Sequence, residues 1–246
     1  MIKPAFVDFD TVSSTNDIAL ELAKTGAPEG TVVIARSQHA GRGRHGRVWV
    51  DEPGSSVLMS AILRPHLPPE RFHELSFVSS IAAAESLKEQ FGLRCELKWP
   101  NDVLVNKRKI CGILIETTEA AAEAAVVIGI GVNVNQTAFP SEIAAEATSV
   151  ALETGSTQDV RAATEKMAMA LFEWYQAYCS VGFAAILERW RTHMCGMGTR
   201  AEVDVGGEQI RGRIVGIDDC GRLLLQDDCG ATRAIAWAEC ISFQSL

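Results

Sequence analysis

The sequence lacks several features that would assign a protein to a class at once. No stretch approaches about 18 consecutive apolar residues, which argues against a membrane-spanning helix. The opening MIKPAFVDFD has no apolar core and already contains acidic residues, so it does not resemble a secretory signal. The 7 cysteines include no C-x-x-C pair, and the 5 histidines include no H-E-x-x-H motif. We therefore expect a cytoplasmic protein with reduced thiols and no metal ion held by the protein alone.

Negative charge is missing from one part of an otherwise acidic chain. The 246 residues carry a formal net charge of -8, yet no Asp or Glu lies between Gly30 and Val50. The same stretch contains four arginines and two histidines. An acidic total argues against broad affinity for nucleic acids or membranes, so any binding of anions has to be local.

The local positive charge is concentrated in GRGRHGRVW (41–49), which we call the arginine loop. Glycines let backbone N–H groups approach an anion closely, and the planar fork of arginine pairs with phosphate or carboxylate. This composition predicts a flexible loop that a polyanionic ligand orders. A solvated charged loop and an RNA-binding loop are the alternatives. The chain has no G-x-x-x-x-G-K-[ST] motif, so a nucleotide would not be bound in the P-loop manner.

A second candidate for anion chemistry is KWPND (98–102). Pro100 favours an extended conformation at Trp99, so a strand is expected to end here and to present Lys98 at its tip. A lysine beside a phosphate supplies a compact positive charge where negative charge develops during a reaction. An ordinary surface lysine is the alternative, and the presence of the arginine loop in the same chain favours the first interpretation.

The order of predicted elements indicates an α+β fold. Alternating and apolar patterns predict strands at 5–12, 31–35, 55–63 and 124–135, one ending at Lys98, and a pair joined by a turn at 106–109. Helical spacing and terminal glycines predict helices at 13–26, 70–91, 159–180 and 182–193. Residues 136–156 are expected to form a mobile connection. Because the strands cluster instead of alternating strictly with helices, a mixed sheet is favoured over a doubly wound one.

The sequence pattern changes after GMG (196–198), where a second type of region begins. Short apolar stretches are separated by tight turns at 206–207 and by the repeated DDCG at 218–221 and 227–230. Five short strands in this space predict a small β-barrel. We therefore predict two domains, residues 1–197 and residues 198–246.

Several of these segments, in this order and at these intervals, resemble the biotin protein ligases. The segments are SSTND (13–17), GRGRHGRVW (41–49), KWPND (98–102), RKICGILIE (108–116), GIGVNVN (129–135) and the tail GIDDCGRLLLQDDCG (216–230). The resemblance implies a mixed-sheet catalytic domain of the biotin/lipoate ligase type with a small C-terminal SH3-like β-barrel. It also implies the monofunctional type without an N-terminal DNA-binding domain, so no DNA binding is expected.

The activity implied by the resemblance has two steps. Biotin and ATP, the latter with Mg²⁺, would give biotinyl-5′-AMP and pyrophosphate, and a lysine of a biotin carboxyl carrier protein would then take the biotinyl group. A homodimer is compatible with the family. A lipoate or octanoyl transferring relative and a sensor that binds biotin or nucleotide without turnover are the rival interpretations.

The resemblance also assigns roles to individual residues. Lys98, Arg42 and Arg44 would be catalytic. Biotin would be bound by Ser14, Thr15, Asn16, Gln38, Gly41, Arg42, Gly43, Arg44, His45, Lys98 and Gly112. ATP would be bound by Arg42, Arg44, Trp49, Lys98, Asn101 and Asn133.

Overall fold

A computed structural model describes residues 2–118, 124–236 and 240–243 of the chain, and it contains two β-sheets. The C-terminal residues 237–239 and 244–246 of the predicted second domain lie outside the described part. The first sheet consists of β1 (Ala5–Val12), β2 (Thr31–Gln38), β3 (Ser56–Leu63), β4 (Glu96–Lys98), β5 (Asp102–Val105), β6 (Arg108–Thr117) and β7 (Val126–Asn133). The second consists of β8 (Arg200–Val205), β9 (Glu208–Ile217), β10 (Leu223–Gln226), β11 (Thr232–Ile235) and β12 (Cys240–Phe243).

The first sheet is mixed, with strand order β1-β2-β3-β7-β6-β5-β4. The strands β1 and β2 run parallel, and every other neighbouring pair is antiparallel. A helix connects the two parallel strands, as a crossover between parallel strands requires. The prediction of an α+β fold with a mixed sheet is therefore confirmed.

Helices cover both faces of this sheet. They are α1 (Thr15–Lys24), α2 (Glu74–Phe91), α3 (Val150–Thr154), α4 (Val160–Val181) and α5 (Phe183–Arg191). The main core lies between α2, α4, α5 and one face of the sheet, where Val32 and Ile34 of β2 point. Val33 points to the other face and packs with Ala19 and Ala23 of α1. Among the described residues, no helix is long and apolar enough to cross a membrane.

The helix predicted at 70–91 begins later than expected. Pro69–Arg71 forms a separate 3-10 turn, and α2 starts at Glu74. The buried Glu74 carboxylate accepts two hydrogen bonds from Arg71, at 2.7 and 2.9 Å, and one from the Tyr178 hydroxyl of α4 at 2.5 Å. These contacts fix the first turn of α2 against α4, which the spacing of apolar residues does not reveal.

The connection at 136–156 is more ordered than the sequence indicates. It contains α3, whose N-cap Ser149 accepts a hydrogen bond from Leu152 N. Asn135 and Gln158 exchange two hydrogen bonds at 2.9 and 2.8 Å, so the ends of the segment are held together. The scattered Gly, Pro, Ser and Thr of this segment predict a mobile connection and indicate neither the short helix nor these hydrogen bonds.

The C-terminal strands form an antiparallel sheet in the order β11-β10-β9-β8-β12. Gly206 and Gly207 have φ of 63° and 86°, which is typical of the hairpin turn expected between β8 and β9. In each DDCG turn the first aspartate accepts two backbone N–H groups, as Asp218 does from Cys220 and Arg222. The prediction of a small C-terminal β fold is confirmed, and within the described residues its edge strands β11 and β12 do not pair with each other.

Candidate active site

The N-terminus of α1 forms one wall of the site. Ser14 caps the helix and accepts a hydrogen bond from Asn16 N at 3.3 Å. Thr15 donates to the side chain of Gln38 twice, from its backbone N at 2.8 Å and from its hydroxyl at 3.1 Å. Gln38 is the last residue of β2, so the contact joins SSTND to the strand that leads into the arginine loop. The structure thus places these four predicted residues together.

The base of the site consists of three glycines in adjacent strands, Gly112 of β6 and Gly129 and Gly131 of β7, which we call the glycine floor. Gly112 and Gly131 are direct partners in the antiparallel register. A Cβ atom at Gly129 would lie 2.3 Å from Oδ1 of Asn16, and one at Gly131 would lie 2.7 Å from the Trp49 ring. The side chains of Asn16 and Trp49 therefore rest directly on backbone, which explains the glycines of GIGVNVN.

The arginine loop is folded into a hairpin that covers the site. Trp49 N donates to Gly41 O at 3.0 Å, and Gly43 N donates to Arg47 O at 2.7 Å. His45 occupies the tip with φ of 54°, in the left-handed region. The sequence predicts a flexible loop, and the structure shows two backbone hydrogen bonds that close it into a hairpin.

Two arginines of the loop have different surroundings. The guanidinium of Arg42 donates to the Asp17 carboxylate and lies 3.1 Å from both carboxylate oxygens of Glu116. Burial lowers the pKa of Arg42, but hydrogen bonds and charges from these two acids outweigh it and raise the pKa above its usual value. Arg44 donates to Asn101 Oδ1 at 3.3 Å. Burial is the largest cause of the lowered pKa of Arg44, so an anion beside it would stabilise its charged form.

Lys98 lies where the sequence predicts, at the end of a strand. It is the last residue of β4, and its Nζ lies 5.1 Å from the ring centroid of Phe243 in β12. The next residue, Trp99, is buried and donates from Nε1 at 2.9 Å to Gly221 O, in the turn between β9 and β10 of the second sheet. Asn101 donates to Ile113 O of β6 at 2.7 Å. Both sheets therefore hold the KWPND segment.

These elements enclose a cavity of about 840 Å³. This volume is within the roughly 300–1,000 Å³ of sites for small ligands and cofactors. Of the predicted site residues, it is lined by Ser14, Thr15, Asn16, Gln38, Arg42, Gly43, Arg44, Trp49, Lys98, Asn101, Gly112 and Asn133. Gly41 and His45 are not part of the lining. Gly41 instead lies at the base of the hairpin, where a Cβ atom would be 2.7 Å from Trp49 O.

The cavity has further lining residues outside the predicted set. Phe139, the aromatic residue that the sequence offers on the nucleotide side, lines the cavity from the segment that follows β7. Ile143 of that segment and Phe243 of the second sheet, which the sequence did not single out, line it as well. Asn133, expected on the nucleotide side, donates to Thr148 O at 3.0 Å and so anchors that segment. The GIGVNVN motif contains Asn133, but no local pattern marks Phe243 because it belongs to a different sheet.

Comparisons with known proteins agree with this architecture. Residues 9–133 match a family model described as the Biotin/lipoate A/B protein ligase family, and residues 196–241 match one described as the Biotin protein ligase C terminal domain. The biotin--[acetyl-CoA-carboxylase] ligase of Paracoccus denitrificans is 36% identical over 223 residues, covering 88% of this chain and 92% of that protein. The bifunctional ligase/repressor BirA of Bacillus subtilis (strain 168) is 38% identical over 224 residues, covering 90% of this chain and 69% of that protein.

Solved structures give the same answer. The biotin protein ligase from Aquifex aeolicus in complex with biotin and ATP superimposes with a TM-score of 0.85 at 27% identity, covering 97% of this chain and 98% of that one. The fold and the site therefore place the chain among the enzymes of the biotin/lipoate A/B protein ligase family. The chain belongs, more narrowly, to the biotin protein ligase family.

Proposed function

We propose that this chain activates biotin with ATP, as biotinyl-5′-AMP, and transfers the biotinyl group to a lysine of a biotin carboxyl carrier protein. The observation that carries the proposal is the cavity itself. It joins the tip of β4 at Lys98, the arginine loop and the glycine floor in one space. The matches to biotin protein ligases along nearly the whole chain support biotin as the acid and favour it over lipoate or octanoate.

The first step brings two anions together. A carboxylate oxygen of biotin attacks the α-phosphorus of ATP, a P–O bond forms, and pyrophosphate leaves with the electrons of the broken P–O bond. Positive groups in a partly dry cavity favour such an approach, because they offset the repulsion of the reactants and the charge of the transition state. Lys98 supplies this charge from a strand end, and Arg44 supplies it from the loop. ATP enters as its Mg²⁺ complex.

The two ends of the cavity take the two substrates. The hydroxyl and amide groups of Thr15 and Gln38, with Asn16 above the glycine floor, fit the polar ring of biotin. Trp49 and Asn133, with the apolar side chains of Phe139 and Ile143, form the end for the nucleotide. Polar groups placed among apolar side chains are typical of sites that orient a small ligand.

The second step requires a lysine amine of the carrier to attack the carbonyl carbon of the mixed anhydride. AMP leaves, an amide forms, and the amine loses one proton. Water would compete for the same anhydride, so the arginine loop protects the intermediate while it covers the cavity. The carrier lysine has to enter where the loop leaves an opening.

We also propose that residues 1–197 form the catalytic domain and that residues 198–246 form a second domain that contributes to the site. The hydrogen bond from Trp99 to Gly221 and the contact between Lys98 and Phe243 support a contribution of the second domain to the site. In this arrangement the small domain completes the wall beside the reacting groups.

Pyrophosphate release from ATP, with biotin, lipoate or octanoate offered separately, tests the proposed reaction. Of the three acids, only biotin is expected to support pyrophosphate release. Addition of a carrier protein is then expected to consume the biotinyl-AMP that has formed. Release with lipoate only would show that the acid is not biotin. Biotin binding without any release would identify a sensor instead of an enzyme.

A further inference from the structure

Arg42 and Arg44 are separated by one residue, but the fold gives them different partners. The Arg42 guanidinium pairs with the carboxylates of Asp17 and Glu116. These carboxylates lie 25 residues before and 74 residues after it in the chain, so only the folded protein brings them together. Arg44 faces Asn101 beside the reacting end of the cavity.

Glu116 contacts the binding wall as well as the loop. Its Oε2 accepts a hydrogen bond from Nδ2 of Asn16 at 2.7 Å, while both its oxygens face Arg42 Nη2. The other end of the same amide, Asn16 Oδ1, accepts from the fully buried Ser60 hydroxyl at 2.5 Å. One carboxylate therefore connects β3, the start of α1 and the arginine loop.

Asp17 completes the arrangement from the first turn of α1. It accepts a hydrogen bond from the Ser13 hydroxyl at 3.0 Å in addition to the contact with Arg42. Carboxylates are stabilised at helix N-termini, where backbone N–H groups carry partial positive charge. The side chains of Arg42, Asp17 and Glu116 are 37%, 35% and 29% exposed, so this group of charges is partly accessible to solvent.

We infer that Glu116 is a positioning residue that latches the arginine loop over the cavity through Arg42. Because Glu116 also holds Asn16, loop closure and the shape of the biotin end depend on the same carboxylate. The inference rests on the proposed function, and it separates the roles of the two arginines. Arg42, whose guanidinium is held by two carboxylates, keeps the loop closed, and Arg44 faces the phosphates.

The variant Glu116→Gln is the sharpest change available. It keeps the size of the side chain but removes its charge and adds an NH₂ donor opposite two existing donors, Asn16 Nδ2 and Arg42 Nη2. The variant Glu116→Asp keeps the charge and shortens the reach. Glu165→Gln is the matched control, because Glu165 is an exposed carboxylate that pairs with Arg161 on α4, away from the cavity.

The test combines one measurement without substrates and one with them. Limited trypsin digestion of the ligand-free proteins, with cleavage sites located by mass spectrometry, reports how often the arginine loop opens. In parallel, release of preformed biotinyl-AMP and single-turnover adenylate formation at saturating biotin and ATP are measured. Melting temperatures identify any variant that is simply unstable.

For Glu116→Gln we expect cleavage within 41–49 and release of biotinyl-AMP to be about tenfold faster, the effect of losing one charge-assisted contact. Single-turnover synthesis at saturating biotin and ATP should keep most of its rate, since Lys98 is untouched, but more biotin should be needed for saturation because Asn16 loses its charged acceptor. Glu116→Asp should fall between the wild type and Glu116→Gln. Adding Glu116→Gln to Arg42→Ala should produce little further effect, because both remove the same contact.

Unchanged cleavage and release in Glu116→Gln, matching Glu165→Gln, would overturn the latch. Fully additive effects of Glu116→Gln and Arg42→Ala would overturn it as well. A wild-type protein that makes no adenylate would refute the proposed function instead. The trypsin comparison would still decide whether Glu116 holds the loop, because it needs no substrate.

Discussion

The arginine loop and the parts of the site carried by the first sheet face each other across the cavity, and they are held in place in different ways. The glycine floor and Lys98 lie on or at the end of paired strands, so backbone hydrogen bonds fix them. The loop has a few backbone hydrogen bonds of its own and is tied to the body by Arg42. Strand ladders open rarely, whereas half-exposed ion pairs exchange with water easily.

This difference separates two tasks that one ligase has to perform. The groups that set the charge and shape around the reacting atoms have to stay fixed, and they lie on the sheet. The arginine loop has to open for biotin, ATP and the carrier lysine, and a loop can move without disturbing the sheet. We therefore expect substitutions on the sheet to impair formation of the adenylate and substitutions in the loop to impair its retention.

Lys98→Ala should have the largest effect. Removing a charge aimed at the transition state commonly costs about 10² to 10³ in rate, and the fold should persist because Lys98 lies at the end of a short strand. Single-turnover synthesis of biotinyl-AMP measures the loss. Lys166→Ala, at an exposed position of α4, is the control. A near-normal rate for Lys98→Ala would place the chemistry elsewhere.

Arg44→Gly changes the arginine loop and should impair retention of the adenylate. It removes a planar cation that faces the phosphates and adds backbone freedom to the loop, and charge-assisted contacts are worth roughly 1.5–3 kcal/mol, or about one to two decades in retention. Adenylate should still form, because Lys98 remains, but more slowly because Arg44 also faces the phosphates; it should then escape and acylate exposed lysines on bystander proteins.

Biotin label on an unrelated lysine-rich protein, compared at matched adenylation rates, measures this escape. Arg44→Lys, which keeps the charge and loses the fork, should fall between Arg44→Gly and the wild type. Equal labelling by Arg44→Gly and the wild type would mean that Arg44 serves substrate entry instead of retention.

The same contrast explains what could be read from the sequence. Lys98 before Trp-Pro and the glycines of the arginine loop are local patterns, so the strand end, the cationic loop and the mixed sheet were predicted correctly. The partners of Arg42 are not local, since the Glu116 side chain that meets it lies 74 residues away. The sequence has no acid within the loop, and only the fold reveals that Asp17 and Glu116 reach Arg42 from elsewhere in the chain.

The glycine floor offers a finer test, because its two ends serve different substrates. Gly129→Ala would place a Cβ atom 2.3 Å from Asn16 Oδ1, and Gly131→Ala would place one 2.7 Å from the Trp49 ring. Overpacking of this kind costs about 1–3 kcal/mol, so KM should rise about fivefold to 100-fold. Gly129→Ala should raise KM for biotin, and Gly131→Ala should raise KM for ATP. An equal rise in both constants for both variants would show that the floor acts as one structural unit.

The smallest expected effect concerns the contact between the two sheets. Phe243 presents its ring to Lys98 Nζ at 5.1 Å and remains 37% exposed. A cation over an exposed aromatic ring gains about 0.5–1 kcal/mol, so Phe243→Leu should slow adenylate synthesis by only about twofold to fivefold. Phe243→Tyr keeps a ring over the ammonium group and should stay close to the wild type. Phe9→Leu is the matched control, since Phe9 on β1 is 36% exposed and does not line the cavity.

The value of this last comparison is that it locates the role of the second sheet. If Phe243 helps to hold the Lys98 ammonium group, the loss should appear in single-turnover synthesis of biotinyl-AMP before any carrier is added. If the second sheet serves only to dock the carrier, Phe243→Leu should leave that rate unchanged and slow only the transfer of the biotinyl group. Lys98 would then be positioned by the first sheet alone. A slower synthesis of biotinyl-AMP would instead mean that both sheets fix Lys98, while the arginine loop opens independently of them.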